Sequence, residues 1–329
     1  MNFKKILIAS CILLTTNAVL ADVTVPYGEG SGKVDFINNK RFPKLEDPLP
    51  VGPLAFRMIE DKVWIADSVG GKLMQLDQNG KILSEISVLS EGTKPYKIDE
   101  YNNPVLNIQI EDIAAVRGDY GAVSAWWIID SLGNRLMKFG LDGKKLAEIK
   151  SPDFKQLYRL EVGIGGHVFV ADKVAKAIFI YDSAGKFINK QHWEWSGMAV
   201  AGTDEKLYRL MYVGEEQKNV LVSTNLEGKV IKTVMLDVVN MLNPKLWWVD
   251  EVKGECVLTC TPNTGYKGIF NIYRIGLDGK VKAKGELKAP YFMNRFIDNI
   301  DFEGVYIGKA DYSKAPEGKL EIVPFSMPK

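Results

Sequence analysis

One pattern restricts this chain more than any other. Residues 63–86 read VWIAD, a loop carrying Gly70-Gly71, KLMQLD, the turn Asn79-Gly80 and KILSEI. Short alternating apolar runs of this kind are strands. Asn-Gly between two of them marks a hairpin, the type I′ form requiring φ > 0 at both central residues. The pattern returns almost position by position over residues 126–149: an apolar run, Asp130-Ser131, a small loop, Leu136-Met137, a turn at Asp142-Gly143-Lys144, and a closing apolar run. Residues 168–188 repeat it a third time around Asp172 and Gly185-Lys186, and looser copies turn at Gly228-Lys229 and Gly279-Lys280.

The hairpin glycines at 80, 143, 185, 228 and 279 are separated by 63, 42, 43 and 51 residues. A period of about 40–50 residues with four short strands each is that of β-propeller blades. The longer first interval holds an insertion, residues 90–109, whose Lys94-Pro95 and Asn102-Asn103-Pro104 read as loop. A fourth, innermost strand precedes each triplet: residues 53–59, 157–162 and 295–300 in the first, third and sixth units. The sixth unit has no Gly-Lys hairpin and no outer strand. Residues 23–27 and 32–37 are expected to supply what it lacks, so that the N-terminal strand closes the ring and only short edges stay exposed. The expected fold is an all-β, six-bladed β-propeller of four-stranded antiparallel blades, the last closed by the N-terminal strand, over residues 22–329.

Residues 1–21 read as a secretory signal: Lys4-Lys5, an apolar stretch, then Val19-Leu20-Ala21 with small residues placed for cleavage after Ala21. Lipidation at Cys11 is the weaker alternative, because the apolar run continues past it. No later run reaches the roughly 20 apolar residues that span a bilayer. The mature chain is therefore expected to be exported to the periplasm or secreted, without a transmembrane span. Lys+Arg number 42 against 41 Asp+Glu, and this near-neutrality gives no basic footprint for a nucleic acid. Cys256 and Cys260, both on one face of a strand, would lie about 13 Å apart, too far for a disulfide. They read as two buried thiols, with a disulfide across a bulge or a redox pair as the alternative.

The Val-x-Val-Ala-Asp core at 168–172, the Ala66-Asp67-Ser68 of the first unit and the following Asp-x-x-Gly-Lys turns resemble the NHL repeat of six-bladed propellers. The resemblance spans essentially the whole mature chain, closely in the first three copies. It implies architecture more than activity, since NHL-like propellers include interaction scaffolds, lyases and lactonase relatives. The amidating lyases of that kind place several histidines around a metal. Only His167 and His192 are present here, so the sequence departs from that pattern, and each histidine reads as a turn or surface residue.

No catalytic set emerges. Asp67, Asp130 and Asp172 recur at one blade position, which turn capping by backbone N–H groups explains. Neither a Gly-x-Ser-x-Gly elbow, a phosphate loop nor a calcium loop is present. What the copies do not share carries the functional expectation. Arg159 and Arg295 near the starts of innermost strands, with Lys245 before another, would form a basic ring suited to a carboxylate, phosphate or acidic peptide. Trp193 and Trp195 at a loop corner would offer an exposed aromatic pair to a peptide or sugar. Trp126-Trp127 and Trp247-Trp248 read as packing between blades. The expected function is a binding or assembly scaffold for a protein, peptide or glycan partner in the cell envelope, with no cofactor. The alternative is a hydrolase or lactonase-like enzyme holding Ca2+ or another divalent cation in the channel, with Glu161, Asp250 and Asp298 as candidate acids. An Arg/Lys-lined and aromatic mouth would favour binding; converging carboxylate and amide oxygens would favour hydrolysis.

Overall fold

A computed structural model describes residues 22–45, 50–118, 121–194, 196–262, 268–288, 293–300 and 304–327. The signal sequence expected over residues 1–21 lies outside these, as does Trp195. Six four-stranded antiparallel sheets are arranged around a channel. The fold is a six-bladed β-propeller. Their innermost strands are Ala55–Ile59, Ile110–Arg117, Leu157–Val162, Met198–Ala201, Leu242–Asp250 and Ile297–Ile300, for blades 1 to 6 in turn. No helix among the described residues is long and apolar enough to cross a membrane.

Second strands are buried along nearly their whole length, as in Val168–Asp172 and Val123–Asp130, because blades cover both of their faces. Trp126 and Trp127 point to opposite faces and are both sealed, Trp126 packing at 4.7 Å from Trp64 of the neighbouring blade. Cys256 and Cys260 are free and buried, and burial pushes the Cys256 thiol up to about 12, where it is unreactive.

The sixth blade is split. Val23–Pro26 pairs antiparallel with Lys319–Phe325, Val23 opposite Ile322 and Pro26 opposite Lys319. The completing strand is confined to these four residues. Further on, the chain makes only single bridges, Tyr27 to Val34 and Ile37 to Val51. Asn38 Nδ2 then fastens the strap by donating to the carbonyls of Tyr312 and Ala315, both at 2.8 Å.

Two expectations need correction. The Asn79-Gly80 turn is not type I′. Gly80 has φ +78° and Asn79 is not in the left-handed region; Gly80 N donates to Asp77 O, and the register slips at Gln75/Leu76. This is a type I turn closed by a glycine bulge, stabilised by Asp77 Oδ1 accepting from Asn79 N and Lys81 N. The insertion at 90–109 is not wholly loop. Tyr96–Ile98 pairs with Pro104–Leu106 as a small hairpin, and Asp99 Oδ1 accepts from Tyr101 N and Asn103 N across its turn. The asparagines serve that turn, with Asn102 at φ +63°.

Candidate functional site

Asp67, Asp130 and Asp172 prove to be fasteners. Asp67 Oδ1 accepts from Gly70 N at 2.9 Å, and Asp35 N also reaches its carboxylate. Asp172 accepts from Lys155, Gln156, Val174 and Ala175 N–H groups. Each aspartate thus caps its own turn or ties down the segment entering its blade. His167 Nδ1 bonds Glu205 of the next blade, and His192 is exposed beside Glu194.

The channel is filled by charge. Arg295, 1% exposed, makes a bidentate bond to Asp112 (Nε–Oδ1 and Nη2–Oδ2, both 2.8 Å) and a third to Glu161 Oε1 at 2.8 Å. Arg57 donates to Glu161 Oε2 at 3.0 Å and to the carbonyls of Ile113 and Leu160. Asp298 Oδ2 accepts from Met58 N at 2.8 Å. Burial alone would raise Asp112, yet the Arg295 charge outweighs it and holds the carboxyl below its usual range. The acids Glu161 and Asp298 are therefore engaged by arginines and backbone. Asp250 serves a turn, accepting from Lys253 N at 2.9 Å. Among the described residues no three His, Cys, Asp or Glu side chains form a cation-holding group.

The other basic residues assemble at one mouth. A cavity of about 680 Å³ opens above blades 3 to 6, on the face formed by loops entering the innermost strands and loops joining second to third strands. Apolar side chains, including Leu210, Met241, Phe270, Met293 and Phe296, line much of it; Ser196, Asn219, Asn243 and Thr261 supply polar groups. Tyr158, Lys173 and Lys245 form a basic wall, and Glu194 adds one carboxylate to the lining. Lys245 Nζ donates to the Tyr158 hydroxyl at 2.8 Å, and Lys173 Nζ stands 3.4 Å from the centre of the Tyr158 ring. Burial opposes ionisation of Tyr158, but Lys245, Arg159 and Lys173 outweigh it, so the phenol sits below its usual range. Lys173 is lowered by burial, with Lys245 and Arg159 adding repulsion. Glu111, on the innermost strand of blade 2, is raised by burial to about 7 against the pull of Lys173.

The sequence-selected residues thus separate. Lys245 lines the mouth. Arg159 lies behind Tyr158, its guanidinium 4.6 Å from the Trp247 ring centre and 1% exposed. Arg295 belongs to the channel network. Trp193 is fully buried, its Nε1 donating to Gly197 O at 3.1 Å and its ring 6.3 Å from Tyr158. It supports the mouth from behind and offers no face to solvent, because the Gly197 turn folds it inward. Tyr158, Lys173 and Glu111 were not singled out from sequence. A signal for Lys173 did exist: it occupies the position of Ser68 and Ser131 in the first two copies.

No protein-family model and no curated protein matches this sequence. Among solved structures, hydrazine synthase of Kuenenia stuttgartiensis is similar at 14% identity and TM-score 0.51, covering 78% of this chain and 73% of that one. A member of the DUF4221 family from Bacteroides vulgatus aligns over 94% of this chain and 97% of its own, at 12% identity and TM-score 0.51. Virginiamycin B lyase from Staphylococcus aureus, in an inactive form with quinupristin, aligns over 84% and 95% at 16% identity and TM-score 0.47. The likeness is to the propeller fold. Identities this low carry no activity across.

Proposed function

We propose that this chain is an exported binding module whose mouth over blades 3 to 6 takes an acidic segment of a protein or peptide partner. The observation carrying the reading is the Tyr158 wall, where Lys173 and Lys245 converge on one ring beside an apolar cavity of about 680 Å³. A cavity of this size suits a few residues of chain, not a folded domain. Lysines on an aromatic support attract carboxylate, while Met241, Phe270 and Phe296 offer apolar burial to neighbouring side chains. The envelope setting rests on the leader-like residues 1–21, and the assignment of the units to the NHL type rests on the Ala-Asp-Ser and Asp-x-x-Gly-Lys residues. No observation favours the cation-dependent hydrolase over this reading.

The test uses fluorescent hexapeptides of Glu, Asp and Phe, and the same peptides with Gln and Asn in place of the acids. Acidic peptides are expected to bind at least about tenfold more tightly, with affinity falling as salt rises. Lys173→Ala with Lys245→Ala should remove that advantage while leaving the melting temperature within about 2 °C. Equal affinity for acidic and neutral peptides would overturn the site. N-terminal sequencing of the protein recovered from the envelope fraction should begin at Asp22.

A further inference from the structure

Behind the mouth, Arg159 presents a separate problem. Its Nε, Nη1 and Nη2 are all buried, and none has a hydrogen-bond partner among the described residues. A guanidinium carries five N–H donors in a planar fork. Burial, with repulsion from Arg295, lowers it only to about 10, so it remains a cation at neutral pH. An unsatisfied buried charge is among the costliest features a fold can carry. The Trp247 ring, 4.6 Å away, covers one face of the guanidinium but does not accept its in-plane N–H groups.

The nearby carboxylates are already committed. Asp112 gives Oδ1 to Arg295 Nε and Ile113 N, and Oδ2 to Arg295 Nη2 and Leu160 N. Glu161 is shared by Arg295 and Arg57. Among the described residues of the channel, Arg57, Arg159 and Arg295 face Asp112, Glu161 and Asp298, yet those acids spend their oxygens on Arg57, Arg295 and backbone N–H groups and none reaches Arg159. Burial also raises Asp298 and, beside Arg159, Glu111, which tips the local balance toward positive charge.

We propose that Arg159 holds one small monovalent anion inside the channel, a halide or a planar oxyanion such as nitrate or a short carboxylate, as a resident ligand beneath Tyr158. One unpartnered guanidinium sets the valence. The complete burial of the fork sets the size, since it leaves no path for a peptide side chain. This site stands independently of the partner site at the mouth.

The test exchanges gluconate for chloride, bromide or nitrate at constant ionic strength and follows thermal unfolding. The melting temperature should rise saturably, by roughly 5 °C at a hundredfold excess over Kd. Arg159→Met, which keeps the length and removes the charge, should show no such rise. A rise that never saturates, or an equal one in Arg159→Met, would overturn the proposal. A second measurement needs no variant: crystals grown in bromide should show an anomalous peak within hydrogen-bond distance of the Arg159 nitrogens. Ordered water there, without bromide, would overturn it as well.

Discussion

At the scale of single residues, two arginines of the same kind meet opposite fates. Arg295 and Arg159 both sit near the start of innermost strands, which was visible in sequence. Their partners were not, because Asp112 lies 183 positions from Arg295 and belongs to another blade. Strand spacing says which side chains share a face, not which blade lies opposite across a channel. Glu111 is the residue expected to make the mouth respond to pH. Facing it are Lys173, Arg159, Lys245 and Asp112, and it titrates near 7. Above that pH its carboxylate cancels part of the local positive charge; below it, the acid is neutral and the cations act unopposed. Affinity for an acidic peptide is therefore expected to rise as pH falls from 8 to 6, with proton uptake on binding. Peptide carboxyls, ordinarily near 4, do not titrate in this window. Glu111→Gln should flatten the profile, and anisotropy titrations across the window would show it. A slope that survives in the variant would place the titrating group elsewhere.

Elements were the most legible level. Repetition exposed the three outer strands of each blade because turn chemistry recurs wherever the backbone needs it, as at Gly80 and Gly143, with φ of +78° and +79°. Turn type was less legible, since Asn-Gly satisfies both a two-residue turn and a type I turn with a bulge. The hairpin inside the insertion escaped because its strands, Tyr96–Ile98 and Pro104–Leu106, are too short for periodicity to register. Closure by the N-terminal strand was legible from the missing outer strand of the sixth unit, and it carries a quantitative consequence. Val23, Val25, Tyr27, Val34, Phe36 and Ile37 are all buried. At about 1.5–3 kcal/mol for each such side chain, they match the roughly 5–15 kcal/mol that holds a whole domain. Deleting residues 22–37 should therefore abolish the single cooperative transition in urea and leave the edge of Lys319–Phe325 open to association. A truncated chain with the parent's midpoint and slope would show that the ring closes without its strap.

For the whole molecule, the question is what keeps six sheets in one ring when the contacts between neighbouring blades are largely apolar. The Arg295–Asp112–Glu161–Arg57 network joins the innermost strands of blades 1, 2 and 3 to the entry of blade 6. Buried ion pairs are poor sources of net stability, but removing one partner leaves the other as an uncompensated charge, at about 3–5 kcal/mol. Arg295→Met should do this to Asp112. Two backbone N–H groups would remain on that carboxylate, from Ile113 and Leu160, while Glu161 would keep Arg57. A fall of about 10 °C in melting temperature is expected, given roughly 2–4 °C per kcal/mol for a large domain. Arg295→Met combined with Asp112→Leu removes both charges, and most of the loss should return, because apolar replacement of a whole buried pair is near neutral. Calorimetry on the parent, the single and the double variant decides it. If the single variant melts within about 2 °C of the parent, the blades hold their register by packing alone.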